Sequence, residues 1–176
     1  MEIVLFWDIF FYSQYYLSMR TIIHDLEDTS FLNLGSEDVL VSDVNNSCIG
    51  CFNCWVKTPF WCIHKDKIIN NGKLILDSDE LIIISKCNNG CYSSKVKRIL
   101  ERSISYVEPF FTIRNKEIHH LSRTPKKLGF KVYFYGDKIT VDDKRVAELL
   151  VEANMRNLNT TSPTLYFYNS YKEINL

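Results

Sequence analysis

Short runs of apolar residues recur along the chain, and each run predicts one strand of a sheet. An unbroken apolar run bounded by polar residues is typical of a strand that is buried on both faces, as in a parallel sheet. Leu81–Ile84 is the strongest of these runs. The five runs are Ile3–Trp7, Val39–Val41, Leu81–Ile84, Lys131–Tyr135 and Thr164–Tyr168.

Two segments between the later runs have apolar residues at helical spacing. Ser93–Ser105 and Asp142–Asn157 each carry an apolar stripe, with charged residues on the other face. Strands that alternate with helices are typical of an α/β domain with a mainly parallel sheet. The pattern therefore predicts such a domain.

Two other segments depart from this alternation and are interpreted as excursions from the sheet. One contains four cysteines, at about residues 45–72, and the other runs from Tyr106 to Gly129. The second contains His119 and His120, which point in different directions in either a helix or a strand and are not expected to bind one ion. We therefore predict a single domain over residues 1–176, with a cysteine-rich insertion.

The number and placement of charged residues exclude some classes of protein. The 176 residues include 21 basic and 21 acidic side chains, and this balance lacks the basic excess of a nucleic-acid binder. Glu2 and Asp8 interrupt the apolar start, which is too short to span a bilayer and lacks the positive region of an export signal. These features predict a cytoplasmic protein without a nucleic-acid or membrane partner.

Four cysteines form the most informative motif. Cys48, Cys51 and Cys54 are separated by two-residue gaps, and Cys62 follows. Three closely spaced thiolates can wrap one side of a compact cluster, and a fourth can close it, as four-cysteine iron–sulfur ligation requires. A four-thiolate zinc site and unliganded or redox-active thiols remain as alternatives.

These residues resemble the flavodoxin-like NAD(P)H-dependent FMN reductase family and, within it, the iron–sulfur flavoproteins. The cysteine motif is followed by an acidic step, and a strand, a loop and a helix ending in an acidic–Arg pair come next. The residues that carry the resemblance are Cys48–Cys62, His64–Ile68, Asp79–Ser85, Gly90, Ser93, Lys97, Glu101 and Arg102.

The resemblance implies a flavodoxin-like, doubly wound, five-stranded parallel sheet of order 2-1-3-4-5. FMN would lie at the carboxyl ends of its strands, with NAD(P)H as a possible electron donor. Cys48, Cys51, Cys54 and Cys62 would hold an iron–sulfur cluster of the 4Fe-4S type. The candidate FMN-binding residues are Ser13, Ser18, Ser85, Lys86, Cys87, Asn88, Asn89, Gly90 and Tyr92.

The two flavin elements depart from the family pattern. A Gly/Ser/Thr-rich loop usually holds the FMN phosphate after the first strand, but Asp8–Tyr16 has no glycine and many aromatic residues. Lys86–Asn89 stands where the family has a proline and an aromatic residue. Either the phosphate is held differently, for instance by Lys86 or Arg20, or the flavin has been lost.

Two functions follow as hypotheses. The first is electron transfer or NAD(P)H-linked oxidoreduction through FMN and the cluster, with a redox partner protein or a small-molecule electron acceptor. The second is a non-enzymatic protein of the same fold that has lost FMN and uses its cysteines as a structural metal site or redox sensor. The dense aromatic residues near the start of the chain, together with Pro109–Phe111, exceed what a monomer of this size would bury. They predict a homo-oligomer.

Overall fold

The structure, a computed structural model, describes residues 18–42, 45–67 and 69–176. It is a mixed α/β fold around a five-stranded parallel sheet. The strands of this sheet are β1 (Arg20–His24), β2 (Val39–Val41), β3 (Glu80–Lys86), β6 (Gly129–Tyr135) and β7 (Thr164–Tyr168). Their order is β2-β1-β3-β6-β7, which is 2-1-3-4-5 when only the strands of this sheet are counted, as predicted.

The first strand differs from the prediction. Ile3–Trp7, the expected first strand, lies outside the described residues. The strand between β2 and β3 is instead Arg20–His24, whose Ile22 and Ile23 are completely buried. Its apolar stretch is only two residues long and is flanked by Thr21 and His24, so it gives a weaker strand signal than the longer run upstream.

The two predicted helices, at Ser93–Ser105 and Asp142–Asn157, are present as α3 and α4 and have clear capping signals. The Ser93 hydroxyl accepts the Val96 amide at the start of α3, and Thr140 and Asp143 form a reciprocal capping box at the start of α4. In the described ranges, the α-helices are α1 (Asn53–Val56), α2 (Asn71–Asp77), α3 (Ser94–Glu101) and α4 (Val141–Leu158).

In the described residues, α2, α3 and α4 all pack on one face of the sheet. They cover alternate strand residues such as Ile23, Ile83 and Val132. The other face, which includes Ile22 and Ile82, is covered by the segment after β1 and by the end of the chain. The expected winding of helices over both faces is therefore not seen in these residues.

The buried stripe of α4 also differs from the one expected. Val146 and Leu149 belong to the apolar stripe that the sequence shows at helical spacing over Asp142–Asn157, but they are exposed, whereas Ala147 and Val151 are buried. The helix is therefore rotated so that small residues face the sheet, and Val146 lies beside Gly90 instead.

The second excursion is an antiparallel hairpin of β4 (Val107–Arg114) and β5 (Glu117–Ser122). Asn115 and Lys116 both have positive φ angles, as a two-residue hairpin turn that matches the strand twist requires. Within the described ranges, no helix is both long and apolar enough to cross a membrane.

Candidate functional site

The cysteine-rich insertion at about residues 45–72, called the cysteine segment below, follows β2 and folds into tight turns. Gly50 and Phe52 both have left-handed backbone conformations between the cysteines, with φ angles of 66° and 54°. A Cβ on Gly50 would meet no atom within 4 Å, so glycine is needed there for its backbone freedom and not for space. These turns coil the chain around Cys51 before α1 begins.

The four cysteines of the motif surround one small cavity. All of them carry free thiols, and Cys48 and Cys51 are exposed while Cys54 and Cys62 are half-buried. Burial, together with the neighbouring Cys62, Cys48 and Cys51, raises the pKa of the Cys54 thiol. The apolar part of the lining is formed by Ile49, Phe52, Ile63 and Ile104.

Arg102, at the end of α3, ties the two ends of the cysteine segment together. Its buried guanidinium binds both carboxylate oxygens of Asp66, at 2.5 and 2.7 Å, and donates to the Asn46 carbonyl at 3.4 Å. The guanidinium also lines the cysteine cavity beside Cys62, whose side chain contributes to the raised pKa of Arg102. One cation therefore contacts the segment before Cys48, at Cys62 and after Cys62.

Trp55 provides a second attachment. Its indole N–H donates to the Ile104 carbonyl at 3.0 Å and to the Val107 carbonyl at 2.8 Å, in the turn that joins α3 to β4. Since Trp55 directly follows Cys54, this contact holds α1 against the body of the domain. The cysteine segment is thus fixed at its ends by Arg102 and near its middle by Trp55.

The donor set fits a thiophilic metal or an iron–sulfur cluster. Deprotonated thiols beside Cys54 would repel one another, and a bound cation would relieve that repulsion as the thiol protons are released. As placed, the side chains of the described residues form no ready-made group of three or more His, Cys, Asp or Glu. The four cysteines would therefore have to draw together around the metal.

The carboxyl edge of the sheet, where FMN was expected, is dominated by Asp25. This residue follows β1, and its carboxylate accepts the Lys86 amide at 3.0 Å and the Tyr135 hydroxyl at 3.0 Å. Burial and the adjacent Asp25 raise the pKa of Tyr135. Glu27 and Asp137 line the same cavity, so carboxylates outnumber the single lysine.

The loop after β3 forms a tight turn whose backbone groups hydrogen-bond to each other. Asn88 and Cys91 exchange backbone hydrogen bonds of 2.9 and 3.0 Å around Asn89 and Gly90, which both have positive φ angles. The Cys87 amide is also used, because it donates to the Tyr135 carbonyl at 2.9 Å. The amides of Cys87, Asn88 and Cys91 are therefore already hydrogen-bonded within the protein.

Other predicted FMN contacts lie away from this surface. Ser85 is buried, accepts the Ser93 amide and donates to the Lys86 carbonyl, while Tyr92 is buried with its hydroxyl bound by Asn154. Ser18 precedes β1 and thus lies at the amino edge of the sheet, opposite the carboxyl edge. Ser13 lies outside the described residues.

Arg20, the other residue considered for the phosphate, lies at the same amino edge as Ser18 and is paired with Asp38. Lys86 is the one predicted cation at the carboxyl edge, where Asp25 contacts its backbone amide. A phosphate needs unpaired amides and positive charge, and the described part of this edge presents carboxylates instead. The described residues therefore do not fit the phosphate group of FMN.

Sequence reasoning missed Asp25, the hydrogen bonds of the Trp55 indole to backbone carbonyls and the pairing of Arg102 with Asp66. Arg102 and Asp66 both lay in the stretches that carried the family resemblance, but nothing in their spacing showed that they meet. Asp25 would have been found if the Thr21–His24 run had been identified as the first strand. Comparisons of the chain with protein-family models, curated proteins and solved structures find no match.

Proposed function

We propose that this is a flavodoxin-like protein whose working centre is a four-thiolate iron–sulfur cluster, and that it carries single electrons. The observation that carries the proposal is the convergence of Cys48, Cys51, Cys54 and Cys62 on one cavity. Such a cluster, when bound, supplies reversible one-electron oxidation and reduction. Support for the fold is the strand order, although the described helices cover one face only.

The cysteine spacing favours an iron–sulfur cluster over zinc. Structural zinc sites usually draw two closely spaced ligands from each of two separate turns, whereas three of these cysteines fall within residues 48–54. Phe52, Ile63 and Ile104 would keep water away from the cluster, and Arg102 would offset negative charge at Cys62. Both effects influence the reduction potential.

We further propose that the protein works without FMN. The carboxylates of Asp25, Glu27 and Asp137 would repel the flavin phosphate, and the Asn88–Cys91 turn uses its own amides. NAD(P)H gives up a hydride, which carries two electrons, so a protein with only a one-electron centre needs a different donor. The partner is then a one-electron redox protein or a small one-electron acceptor.

Exposure of Cys48 and Cys51 supports one alternative function. Accessible thiols that are close to other thiols can be oxidised reversibly, and they can also bind zinc. In that case the cysteine segment would be a redox sensor or a structural zinc site in a non-enzymatic protein. Metal content and absorption distinguish these functions.

Anaerobic reconstitution with iron and sulfide tests the proposal. We expect a broad brown absorption band that Cys51→Ser and Cys54→Ser abolish, while Cys91→Ser, outside the motif, retains it. A colourless protein that binds one zinc ion would contradict the electron-carrier function. Survival of the band in both motif variants would mean that the ligands are assigned wrongly.

A flavin titration tests the second part. Protein binding to FMN usually changes the flavin fluorescence, and we expect no saturable change when the protein is added to FMN. Saturable binding with one FMN per chain would contradict the proposed loss of the flavin. Weakening of such binding by Lys86→Ala would then place the phosphate at the carboxyl edge.

A further inference from the structure

The β4–β5 hairpin presents an apolar face to solvent. Phe111 pairs with His120 and Ile113 pairs with Ile118, and partners across an antiparallel pair lie on the same face. Phe111, Ile113 and Ile118 are 68%, 75% and 73% exposed. Large apolar side chains with this exposure, adjacent on one face, form a patch and are not isolated surface residues.

The opposite face of the hairpin is attached to the domain. Arg114 donates to the Arg156 carbonyl at 2.9 Å, and Glu117 lies 3.5 Å from the Arg156 guanidinium, both at the end of α4. His119, on this face, is buried. Arg114 and Glu117 thus attach the hairpin to α4 on the face opposite Phe111, Ile113 and Ile118.

The apolar face continues onto the cysteine segment through a row of ring contacts. The centroid distances are 4.7 Å from Phe111 to His120, 5.0 Å from His120 to Trp55 and 5.3 Å from Trp55 to Phe52. Trp55 is fixed by its two hydrogen bonds to backbone carbonyls. We use "hairpin patch" for Phe52, Phe111, Ile113, Ile118 and His120.

The composition of the hairpin patch indicates which kind of partner it binds. It contains no Asp, Glu, Lys or Arg, and the whole chain has a net charge of zero, so two copies would not repel each other. Transient redox encounters use small, polar and charge-complementary surfaces, whereas homodimer interfaces are more apolar. The exposed apolar area is on the order of 500 Å², a large part of the ~800 Å² that each partner buries in a standard interface.

We propose that the hairpin patch docks against the same patch of a second copy, forming a two-fold symmetric dimer. A two-fold axis near Ile113 and Ile118 would bring each apolar face onto its equivalent. This interface does not depend on which metal the cysteines bind. Its test is therefore independent of the test of the electron-carrier function.

Sedimentation velocity of the full chain at micromolar concentrations tests the proposal. We expect a species of twice the 20.7 kDa chain mass. Ile113→Lys and Ile118→Lys should each weaken association by about 100-fold, because the two-fold axis makes each change place two charges in an apolar interface. Both sites are exposed strand positions, so each variant should keep the circular dichroism of the wild type.

Leu149→Lys is the matched control, since Leu149 is 60% exposed on α4 and lies outside the hairpin patch. This variant should sediment as the wild type does. A wild-type chain that sediments as a 20.7 kDa monomer would overturn the proposal and would indicate that the patch binds a different protein. A dimer that survives both hairpin changes, or dissociates equally with Leu149→Lys, would also overturn it.

Discussion

Arg102 and Asp66 form a two-point ion pair that is almost completely buried, with N–O distances of 2.5 and 2.7 Å. Arg102 ends α3, and Asp66 lies four residues beyond Cys62. Since the same guanidinium contacts Cys62 and the Asn46 carbonyl, this pair fixes the cysteine segment onto the helix. The candidate metal centre thus depends on a contact outside its own ligands.

Asp66→Asn should destabilise the metal-free protein by about 3 kcal/mol, because it takes a carboxylate that accepts two hydrogen bonds away from the buried Arg102 guanidinium. Urea unfolding measures this change. Asp77→Asn is the matched control, since the exposed Lys73–Asp77 pair on α2 is worth only about 0.5 kcal/mol. Equal losses of stability in the two variants would contradict the structural role of the buried pair.

Gly90→Ala should lower the free energy of unfolding by about 2 kcal/mol or more. Gly90 has a φ angle of 77°, and an added Cβ would lie 2.6 Å from the Asp143 carbonyl oxygen of α4. Gly136→Ala is the control, because its Cβ would make an ordinary 3.5 Å contact with Ile139. If thermal or urea unfolding finds both variants equally stable, α4 does not pack against the Asn88–Cys91 turn.

Acid should destabilise the protein through His24. This residue is buried at the end of β1, and burial, aided by the charge of Lys95, lowers its pKa to about 4 from 6.5. Between these two values the unfolded chain binds a proton that the folded protein does not, so stability falls as the pH falls. The expected loss between pH 7 and pH 5 is on the order of 2 kcal/mol.

Urea unfolding of the wild type and His24→Gln at both pH values measures this effect. Glutamine does not titrate, so the variant should be less sensitive to pH by the same amount, whatever its stability at pH 7. An unchanged pH dependence in His24→Gln would mean that His24 is accessible to protons in the folded protein.

Most of the fold could be predicted because its main signal is local. Leu81–Ile84 and the later runs are buried strands with clear apolar patterns, and Ser93 marks the start of α3. The first strand could not be identified in this way, since its apolar core is Ile22 and Ile23 alone. Its burial comes from β2 and β3 on either side, which is information that lies elsewhere in the chain.

The site was predictable where spacing along the chain determines chemistry. The gaps among Cys48, Cys51 and Cys54 allow the thiols to face one cavity, and the turns at Gly50 and Phe52 complete that arrangement. The positions of Ser18 and Arg20 in the sheet could not be predicted, because they depend on which segment forms β1. Because β1 runs from Arg20 to His24, Ser18 lies at the amino edge of the sheet and Asp25 lies at the carboxyl edge.

The two adjacent histidines point in different directions, as expected for neighbouring residues of a strand. His119 lies 3.1 Å from Glu117, while the His120 ring packs between Trp55 and Phe111 and contacts the Glu108 carbonyl. Alternation along β5 separates the two rings onto opposite faces. The aromatic residues at Pro109–Phe111 indicated exposed apolar surface, but the face that carries it depends on which side of the hairpin α4 contacts.

The central claim is that the cysteine segment holds an iron–sulfur cluster. Its most direct test is the iron, zinc and acid-labile sulfide content of the protein purified without oxygen, measured per chain beside a Cys48→Ser, Cys62→Ser double variant. We expect about four iron and about four sulfide in the wild type and a large loss of both in the variant. One zinc without sulfide, or iron and sulfide undiminished in the double variant, would contradict the claim.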